Sequence, residues 1–167
     1  MKLCIFLLAL LLIQPACGDS GRRDAEVPMK VGFVAVDQRA GSPVVLLEEW
    51  EGTRSLPIWI GVPEAHSISF AMEERHGPRP NTHDLAKRLI QGLDATLVRV
   101  VVTELRDGIY YATIVLQVDG RHVEIDSRPS DAIAIGLRMK APLYARESLL
   151  DESGAATEGG AGKERSI

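Results

Sequence analysis

The chain has 167 residues, of which 25% are charged, and its formal net charge at pH 7 is −4. This length predicts one domain, and the charge balance excludes a general nucleic-acid binder with a basic tract, so a polyanion would have to bind at a local cluster. The two cysteines are Cys4 and Cys17. The sequence after Cys17 therefore cannot form an internal disulfide.

The first sixteen residues are predicted to be a targeting segment. After Lys2, the apolar run 3–13 would make ~16 Å of helix, too short for a hydrocarbon core of about 30 Å. Such a run is typical of a signal peptide. Cys17 follows Ala16 in a pattern that resembles the lipobox of bacterial lipoproteins. We therefore expect a lipidated Cys17 and an exported protein anchored in the membrane; ordinary signal cleavage, giving a soluble secreted or periplasmic protein, is the alternative.

The folded domain is predicted over residues 27–150. Residues 18–26 are predicted to be a tether, and residues 151–167 are predicted to be a disordered tail. Neither segment has periodic apolar residues whose burial could offset the entropy lost on ordering. In the first half, alternating apolar residues predict strands at Met29–Val36, Val44–Glu49 and Ser55–Ile60. A helix then begins at Pro63 and Glu64, where proline and an acid suit the first turn. Trp59 alternates with Ile58 and Ile60, which predicts packing rather than exposure.

The second half repeats this order of elements. Strands are predicted at Thr96–Leu105, Ile109–Val118 and Arg121–Asp126, separated by two Asp-Gly turns. A helix begins at Pro129, and a last short strand covers Leu143–Arg146. Between the halves lies one inserted helix, capped by Asn81 or Thr82, with a stripe of Leu85, Leu89 and Leu93.

The two halves predict an internal duplication. Val31–Met72 aligns without gaps on Val98–Met139, and Glu64 meets Asp131 in this alignment. We therefore predict an α+β fold of two β-β-β-α units, which form a mixed or antiparallel, partly barrel-like sheet with three helices.

Two helix-opening segments, 79–85 and 126–132, are rich in acids, arginines and hydroxyls. A helix N-terminus beside an arginine is a plausible phosphate site, and carboxylates there can act as a general base or hold a cation. Helix capping accounts equally well for Asn81, Thr82, Asp84 and the first-turn acids. Arg128 could likewise form a structural ion pair with Asp126 or Asp131. His83 is the least expected of these residues on helix grounds.

These segments resemble the bifunctional nuclease domain, a family named for DNase and RNase activity. The matching phrases are Pro43–Glu49, Leu56–Gly61, Glu64-Ala65, Arg79-Pro80, Thr82–Leu85, Asp107-Gly108, Tyr111-Ala112 and Ile125–Ala134. The chain departs from the family pattern at Asn81 and at the pair His66-Ser67. The signal peptide also departs from it, since this domain is associated chiefly with cytoplasmic or organellar chains.

The resemblance implies a nuclease that hydrolyses phosphodiester bonds of DNA, RNA or both. The implied catalytic residues are Glu64, His83, Asp84, Asp126 and Asp131, and the implied substrate-binding residues are Arg79, Thr82, Arg128 and Ser130. A Mg²⁺ or Mn²⁺ ion is a candidate cofactor, with Asp84, Asp126 and Asp131 as its candidate ligands. In the first hypothesis, His83 or a bound metal activates water while Arg79 and Arg128 neutralise the phosphate.

The second hypothesis is a non-catalytic binding or assembly module tethered to the membrane surface. The near-neutral charge and the expected lack of an aromatic platform favour this alternative over a processive nucleic-acid enzyme. The partners expected are therefore nucleic acid under the first hypothesis and the membrane through Cys17. A homo-oligomer is compatible with both hypotheses.

Overall fold

The strands and helices begin and end close to the turns and prolines of the sequence. The computed structural model describes residues 25–150, so the predicted leader, the lipidation of Cys17, residues 18–24 of the tether and the tail lie outside the described residues. The strands are β1 (Glu26–Asp37), β2 (Ser42–Glu49), β3 (Ser55–Trp59), β4 (Thr96–Arg106), β5 (Ile109–Val118), β6 (Arg121–Ser127) and β7 (Leu143–Arg146). The helices are α1 (Val62–Met72), α2 (Thr82–Gly92) and α3 (Pro129–Met139), and a fourth helical turn covers residues 147–150.

The seven strands form one open, mixed sheet in the order β3-β2-β1-β7-β4-β5-β6. Neighbours are antiparallel except β4 and β7, which are parallel. The predicted partly barrel-like sheet is wrong. Each half forms a three-stranded meander, and β7 joins the two meanders side by side. The edge strands β3 and β6 therefore lie at opposite ends of the sheet, where they cannot pair with each other.

Two Asp-Gly turns fix the register of the second meander. Asp107 and Gly108 have φ angles of 52° and 77°, and Asp119 and Gly120 have φ angles of 48° and 77°. Consecutive positive φ angles are those of a two-residue hairpin turn, which matches the twist of the flanking strands. The two hairpins predicted at these positions are confirmed. Both halves have the order β-β-β-α, while a common origin of the halves stays a prediction.

The core lies between one face of the sheet and the three helices. The side chains buried there come from both meanders and from α1 and α3: Val45, Leu47, Leu56, Ile58, Ile68, Val100, Ile114, Ile133 and Ile135. Helix α3 is the most buried, with every residue from Ala132 to Gly136 buried. No helix within residues 25–150 is long and apolar enough to span a membrane.

Helix α2 presents a different face from the one predicted. Leu85, Leu89 and Leu93 are 52%, 58% and 73% exposed, whereas Ala86 and Ile90 pack against the core. The helical period is as predicted, but the buried face lies one residue further along. The reason is that the N-terminus of α2 is fixed by side chains from α1 and α3, described below, and these contacts set the rotation of the helix.

Two helical glycines give a matched test of packing. A Cβ at Gly136 in α3 would lie 3.0 Å from Leu143 Cδ2 and 3.1 Å from Val100 Cγ2, whereas a Cβ at Gly92 in α2 meets nothing within 4 Å. We expect Gly136→Ala to lower the free energy of unfolding by about 1–3 kcal/mol through overpacking. Gly92→Ala should raise it by about 0.4–1 kcal/mol by restricting the unfolded chain. Urea denaturation checks both; a neutral Gly136→Ala would contradict the close packing of α3 on the sheet.

Candidate active site

The first turns of all three helices meet at one cavity of about 200 Å³. Helices α1 and α3 each begin with a proline in the first two helical positions, which presets the backbone there. Helix α2 begins with a capping box: the Asn81 side chain accepts from the Asp84 N–H, and the Asp84 carboxylate accepts from the Asn81 N–H. Asn81 is therefore the cap, and part of the role of Asp84 is structural.

His83 is hydrogen-bonded through both ring nitrogens. Its Nδ1 lies 2.8 Å from Ser67 Oγ, and its Nε2 lies 3.0 Å from Asp131 Oδ1. Ser67 Oγ also accepts from Asn81 Nδ2 at 3.0 Å and from Arg138 Nη2 at 2.9 Å. Because a hydroxyl oxygen has two lone pairs and one proton, the Ser67 proton must point at His83 Nδ1. His83 is thus the tautomer that carries its proton on Nε2 and donates it to Asp131.

Arg128 joins the two first-turn acids. Its Nε donates to Asp131 Oδ2 at 2.7 Å, and its Nη2 donates to Asp131 Oδ1 at 2.9 Å and to Glu64 Oε1 at 2.8 Å. Burial acts to raise the pKa of the Asp131 carboxyl, but the bonds from Arg128 and His83 outweigh it and leave that pKa below its ordinary value. The same two carboxylates raise the pKa of Arg128, first through Asp131 and then through Glu64. Arg128 therefore carries a fixed positive charge at this cavity.

Two groups at the cavity keep unused hydrogen-bonding capacity. The Arg128 side chain is 65% exposed, and its Nη1 makes no hydrogen bond within the described part of the chain. Glu64 Oε2 likewise has no hydrogen-bond partner among residues 25–150, although the Glu64 side chain is only 16% exposed. Space for this oxygen depends on Gly61, since a Cβ there would lie 2.3 Å from Glu64 Oε2. The open donor and the open acceptor thus belong to two side chains that are joined by the Nη2–Oε1 hydrogen bond.

A buried arginine supports the site from behind. The Arg138 side chain is 6% exposed; its Nε donates to Asp84 Oδ1 at 2.7 Å, and its Nη1 donates to the carbonyls of Ser67 and Ala134. Burial acts to raise the pKa of Asp84, but the bond from Arg138 and the capping bond from Asn81 N–H leave it below its ordinary value. Through Ser67 and Asp84, Arg138 ties α3 to both other helices.

The structure brings together five of the nine implied site residues. Of these nine, the residues that line the cavity are Glu64, Thr82, His83, Arg128 and Asp131. Ser130 is buried and faces a neighbouring pocket, and Arg79 lines another pocket beside Asp84. Asp126 lies elsewhere. Its neighbour Ile125 pairs with the core residue Ile114, and since side chains alternate along a strand, Asp126 points to the face of the sheet away from the helices.

The three candidate metal ligands do not form one ligand set. Asp84 is bonded by Arg138, Asp131 is bonded by Arg128 and His83, and Asp126 lies on the opposite face of the sheet. Within residues 25–150, no three His, Cys, Asp or Glu side chains are grouped as metal ligands. The residues described therefore do not fit the Mg²⁺ or Mn²⁺ site predicted, and no step below passes through a metal.

Sequence reasoning missed Ser67 and Arg138 as members of the site. Neither belongs to the two polar segments, and the contact between them joins residues far apart in the chain. One signal was present: Ser67 and Asn81 are two of the positions that depart from the family pattern, and they are hydrogen-bonded to each other.

The comparison with known families agrees with the motifs around this cavity. The family model of the bifunctional nuclease domain matches residues 45–158. The chain belongs to this family. An uncharacterized protein of Mycobacterium tuberculosis is 39% identical over 126 residues, which cover 75% of each chain. Bifunctional nuclease 2 of rice (Oryza sativa subsp. japonica) is 28% identical over 123 residues, or 71% of this chain and 38% of the rice protein. Bifunctional nuclease 1 of the same subspecies is 26% identical over 114 residues, or 66% and 34%.

Proposed function

We propose that this bifunctional nuclease domain hydrolyses phosphodiester bonds of nucleic acid at the cavity between the three helix N-termini. The observation that carries the proposal is the pair formed by Arg128 and Glu64: a permanently charged guanidinium with an open Nη1 edge, beside a carboxylate with an open Oε2. Nη1 offers charged N–H donors to a phosphate oxygen, and attack of water on phosphorus needs a base that takes the proton of the water. The rice relatives are named bifunctional nucleases, which supports the same reaction class.

Glu64 is the general base in this proposal. Its Oε2 accepts a proton from water as the water oxygen attacks phosphorus. The P–O bond on the opposite side breaks, and the leaving oxygen takes a proton from solvent. Arg128 Nη1 donates to the phosphate oxygens and offsets the charge that develops on them in the transition state. Asp131 holds Arg128 through two hydrogen bonds, so that the guanidinium cannot swing away from the cavity.

His83 has a positioning role in this proposal instead of the general-base role of the first hypothesis. A base needs a free lone pair, and the lone pair of the His83 tautomer, on Nδ1, accepts the Ser67 proton. Ser67 Oγ cannot serve as nucleophile either, since its two lone pairs accept from Asn81 and Arg138. The chain from Ser67 through His83 to Asp131 therefore fixes the orientation of Asp131, and through it that of Arg128.

A surface of basic side chains favours the proposal that the substrate is a polyanion. Arg79, Lys87 and Arg88 line a pocket of about 340 Å³ on the far side of the α2 N-terminus, together with His76. Within the described residues, none of the three has a hydrogen bond or an ion pair. The net charge of the whole chain is negative, so this surface is the local cluster that the charge balance requires.

This surface predicts a measurable salt effect. Lys87→Ala with Arg88→Ala is expected to weaken binding of a DNA strand about equally for all sequences. It should also reduce the slope of log K against log salt by about 2, or roughly one unit per phosphate contact. Fluorescence anisotropy of a labelled oligonucleotide measures the slope. Arg121→Ala, on the edge strand β6, is the control for loss of one exposed cation outside this surface, and it should leave the slope unchanged. If Arg121→Ala reduces the slope by half as much as the double variant, the effect comes from total charge and not from an interface at Lys87 and Arg88.

The activity itself is tested with the full chain on labelled single-stranded DNA, duplex DNA and RNA. Turnover is followed with added Mg²⁺, with added Mn²⁺ and with a chelator. Turnover that is lost on Arg128→Ala, but kept when the exposed Arg39 is replaced in the same way, supports the proposal. Salt-dependent binding with no turnover under any of these conditions would instead favour the non-catalytic binding module at a membrane surface. Anchoring through Cys17 is a separate part of the proposal, which mass spectrometry of the protein from membranes can test.

A further inference from the structure

The sheet has one edge that is protected against further strands. This edge is β3, which has five residues and contains Pro57. The Ile60 N–H donates to the Pro43 carbonyl of β2, and bonded and non-bonded pairs alternate along an antiparallel ladder. The Pro57 nitrogen, three residues back, therefore points away from β2, and it carries no hydrogen to donate to another strand. Trp59, which ends β3, is 51% exposed, contrary to the packing predicted from its alternation, and it faces away from the helices.

The opposite edge, β6, is open. Its seven residues pair with β5 without a register shift, and none of them is proline, so every residue has an N–H. All residues from Arg121 to Asp126 are exposed. Within residues 25–150, no side chain in that range has a hydrogen bond or an ion pair. An unpaired row of N–H and C=O groups recruits another strand, and β6 has no proline, bulge or covering element that prevents this.

The side chains of β6 form an apolar row and a charged row. Val123 and Ile125 lie on the face that the helices cover, since their partners on β5 belong to the core, yet they are 42% and 43% exposed. The alternate residues His122, Glu124 and Asp126 lie on the other face. A second copy of β6 has the same two rows. When two such strands pair antiparallel about a two-fold axis, the axis is perpendicular to the sheet and identical faces meet.

The charged row selects one register for this pairing. With Glu124 on the axis, two carboxylates lie directly opposite each other, and with Ile125 on the axis, Glu124 lies opposite Asp126; both arrangements are destabilising. With His122 on the axis, only three residues of each strand are paired. With Val123 on the axis, the two valines meet, and His122 of each copy lies opposite Glu124 of the other. A histidine ring N–H donates to a carboxylate whether or not the ring is charged.

We propose that β6 binds β6 of a second copy of this chain, antiparallel and centred on Val123. The pairing joins two seven-stranded sheets into one, with the helices of both copies on the same face. The edge is short, so the interface is smaller than a standard one and the dimer should dissociate on dilution. Every residue that lines the proposed active site comes from one copy, so the inference does not rest on the nuclease function.

Disulfide formation at the two-fold axis tests the register. In the full chain carrying Cys4→Ser and Cys17→Ser, Val123→Cys places two thiols directly opposite each other, at a Cα separation that a disulfide spans. A linked dimer should form on mild oxidation. Val36→Cys, at a valine that is 66% exposed on β1, is the control for random collisions. Linkage at Val123→Cys no faster than at Val36→Cys would overturn the proposal. Faster linkage at Glu124→Cys would overturn its register.

Charge reversal gives a second measurement, by sedimentation velocity. Glu124→Lys places a cation opposite His122, and His122→Glu places a carboxylate opposite Glu124. Each change should raise the dissociation constant of the dimer by roughly 2- to 30-fold, from the loss of two cross-strand pairs. The double variant restores opposite charges and should regain most of the affinity, while Glu51→Lys, on an exposed turn, is the control. No dimer up to about 1 mM chain, or a double variant no tighter than the single ones, would overturn the proposal.

This proposal and the nuclease proposal fail independently. The charge variants of β6 should leave kcat per chain unchanged, because each cavity is complete within one copy. Dimers without turnover remove the nuclease alone, and turnover by a chain that stays monomeric removes the β6 interface alone.

Discussion

Glu64→Gln is expected to lower the turnover of nucleic acid by roughly 10²- to 10⁴-fold, the usual contribution of a general base. Glutamine keeps the size of the side chain and can still accept from Arg128 through its amide oxygen. It cannot take a proton from water at the position of Oε2, which is the unpartnered oxygen at the cavity. The loss should therefore appear in kcat, while KM changes little because Arg128 still binds the phosphate. Steady-state kinetics on a labelled single strand measure both constants.

Three comparisons separate this role from a loss of charge or of structure. Glu124→Gln removes a carboxylate from the exposed strand β6 and should leave kcat unchanged. Gly61→Ala keeps Glu64 but drives a methyl group against its Oε2, so kcat should fall in this variant as well. His83→Ala should lower activity less than Glu64→Gln. If His83→Ala abolishes turnover while Glu64→Gln retains it, the assignment is reversed and His83 is the base.

Much of the fold could be predicted because its signals are local. Asp-Gly turns need positive φ angles, and prolines mark the first turns of α1 and α3, so hairpins and helices are encoded within a few residues. No local sequence signal shows that the sheet is open and not closed into a barrel. The open sheet depends on β7 lying between β1 and β4, and a four-residue strand at the end of the domain carries no pattern that identifies its two neighbours.

The site was predictable in part for the same reason. His83 and Asp131 each lie in a polar segment that opens a helix, and the structure brings the two segments to one cavity. Asp126 belongs to the same motif phrase, but the period of two along β6 separates it from that cavity. Ser67 and Arg138 carry no local signal. Their roles follow from the packing of α1, α2 and α3, which the sequence pattern does not specify.

The departures of this chain from its family pattern have a joint explanation. Ser67 is buried, so its hydroxyl needs hydrogen-bond partners, whereas Asn81 is exposed and caps α2. Together they are hydrogen-bonded at 3.0 Å, and Ser67 also accepts from Arg138 and donates to His83. No buried side-chain polar atom within residues 25–150 lacks a partner. A fully satisfied network of this kind fixes one arrangement of the helices, which is what a positioned Arg128 requires.

Arg138→Met is expected to lower the free energy of unfolding by about 3–5 kcal/mol, the usual cost of removing one partner of a buried ion pair. Methionine retains much of the apolar stem, so the loss comes from the guanidinium. Without it, Asp84 lacks its cation, and Ser67 loses donors to both its carbonyl and its hydroxyl. Urea denaturation measures the change as a lower midpoint with an unchanged slope. Arg88→Met, on the exposed side of α2, is the control and should stay within about 0.5 kcal/mol of the original protein.

The difference in free energy of unfolding between the original protein and Arg138→Met should depend on pH, and this dependence identifies the interaction that is lost. The pKa of Asp84 is lowered in the folded protein, so its pairing with Arg138 contributes stability above the unfolded pKa of about 3.9, and this contribution is lost as pH falls through the lower folded value. Once Asp84 is protonated and neutral, the absence of the Arg138 guanidinium lowers the free energy of unfolding only slightly. The gap between the original protein and Arg138→Met should therefore be widest near neutral pH and should narrow below roughly pH 4. A gap that stays constant with pH would show that Arg138 acts through packing and neutral hydrogen bonds, and would remove the ion pair with Asp84 as the link between α2 and α3.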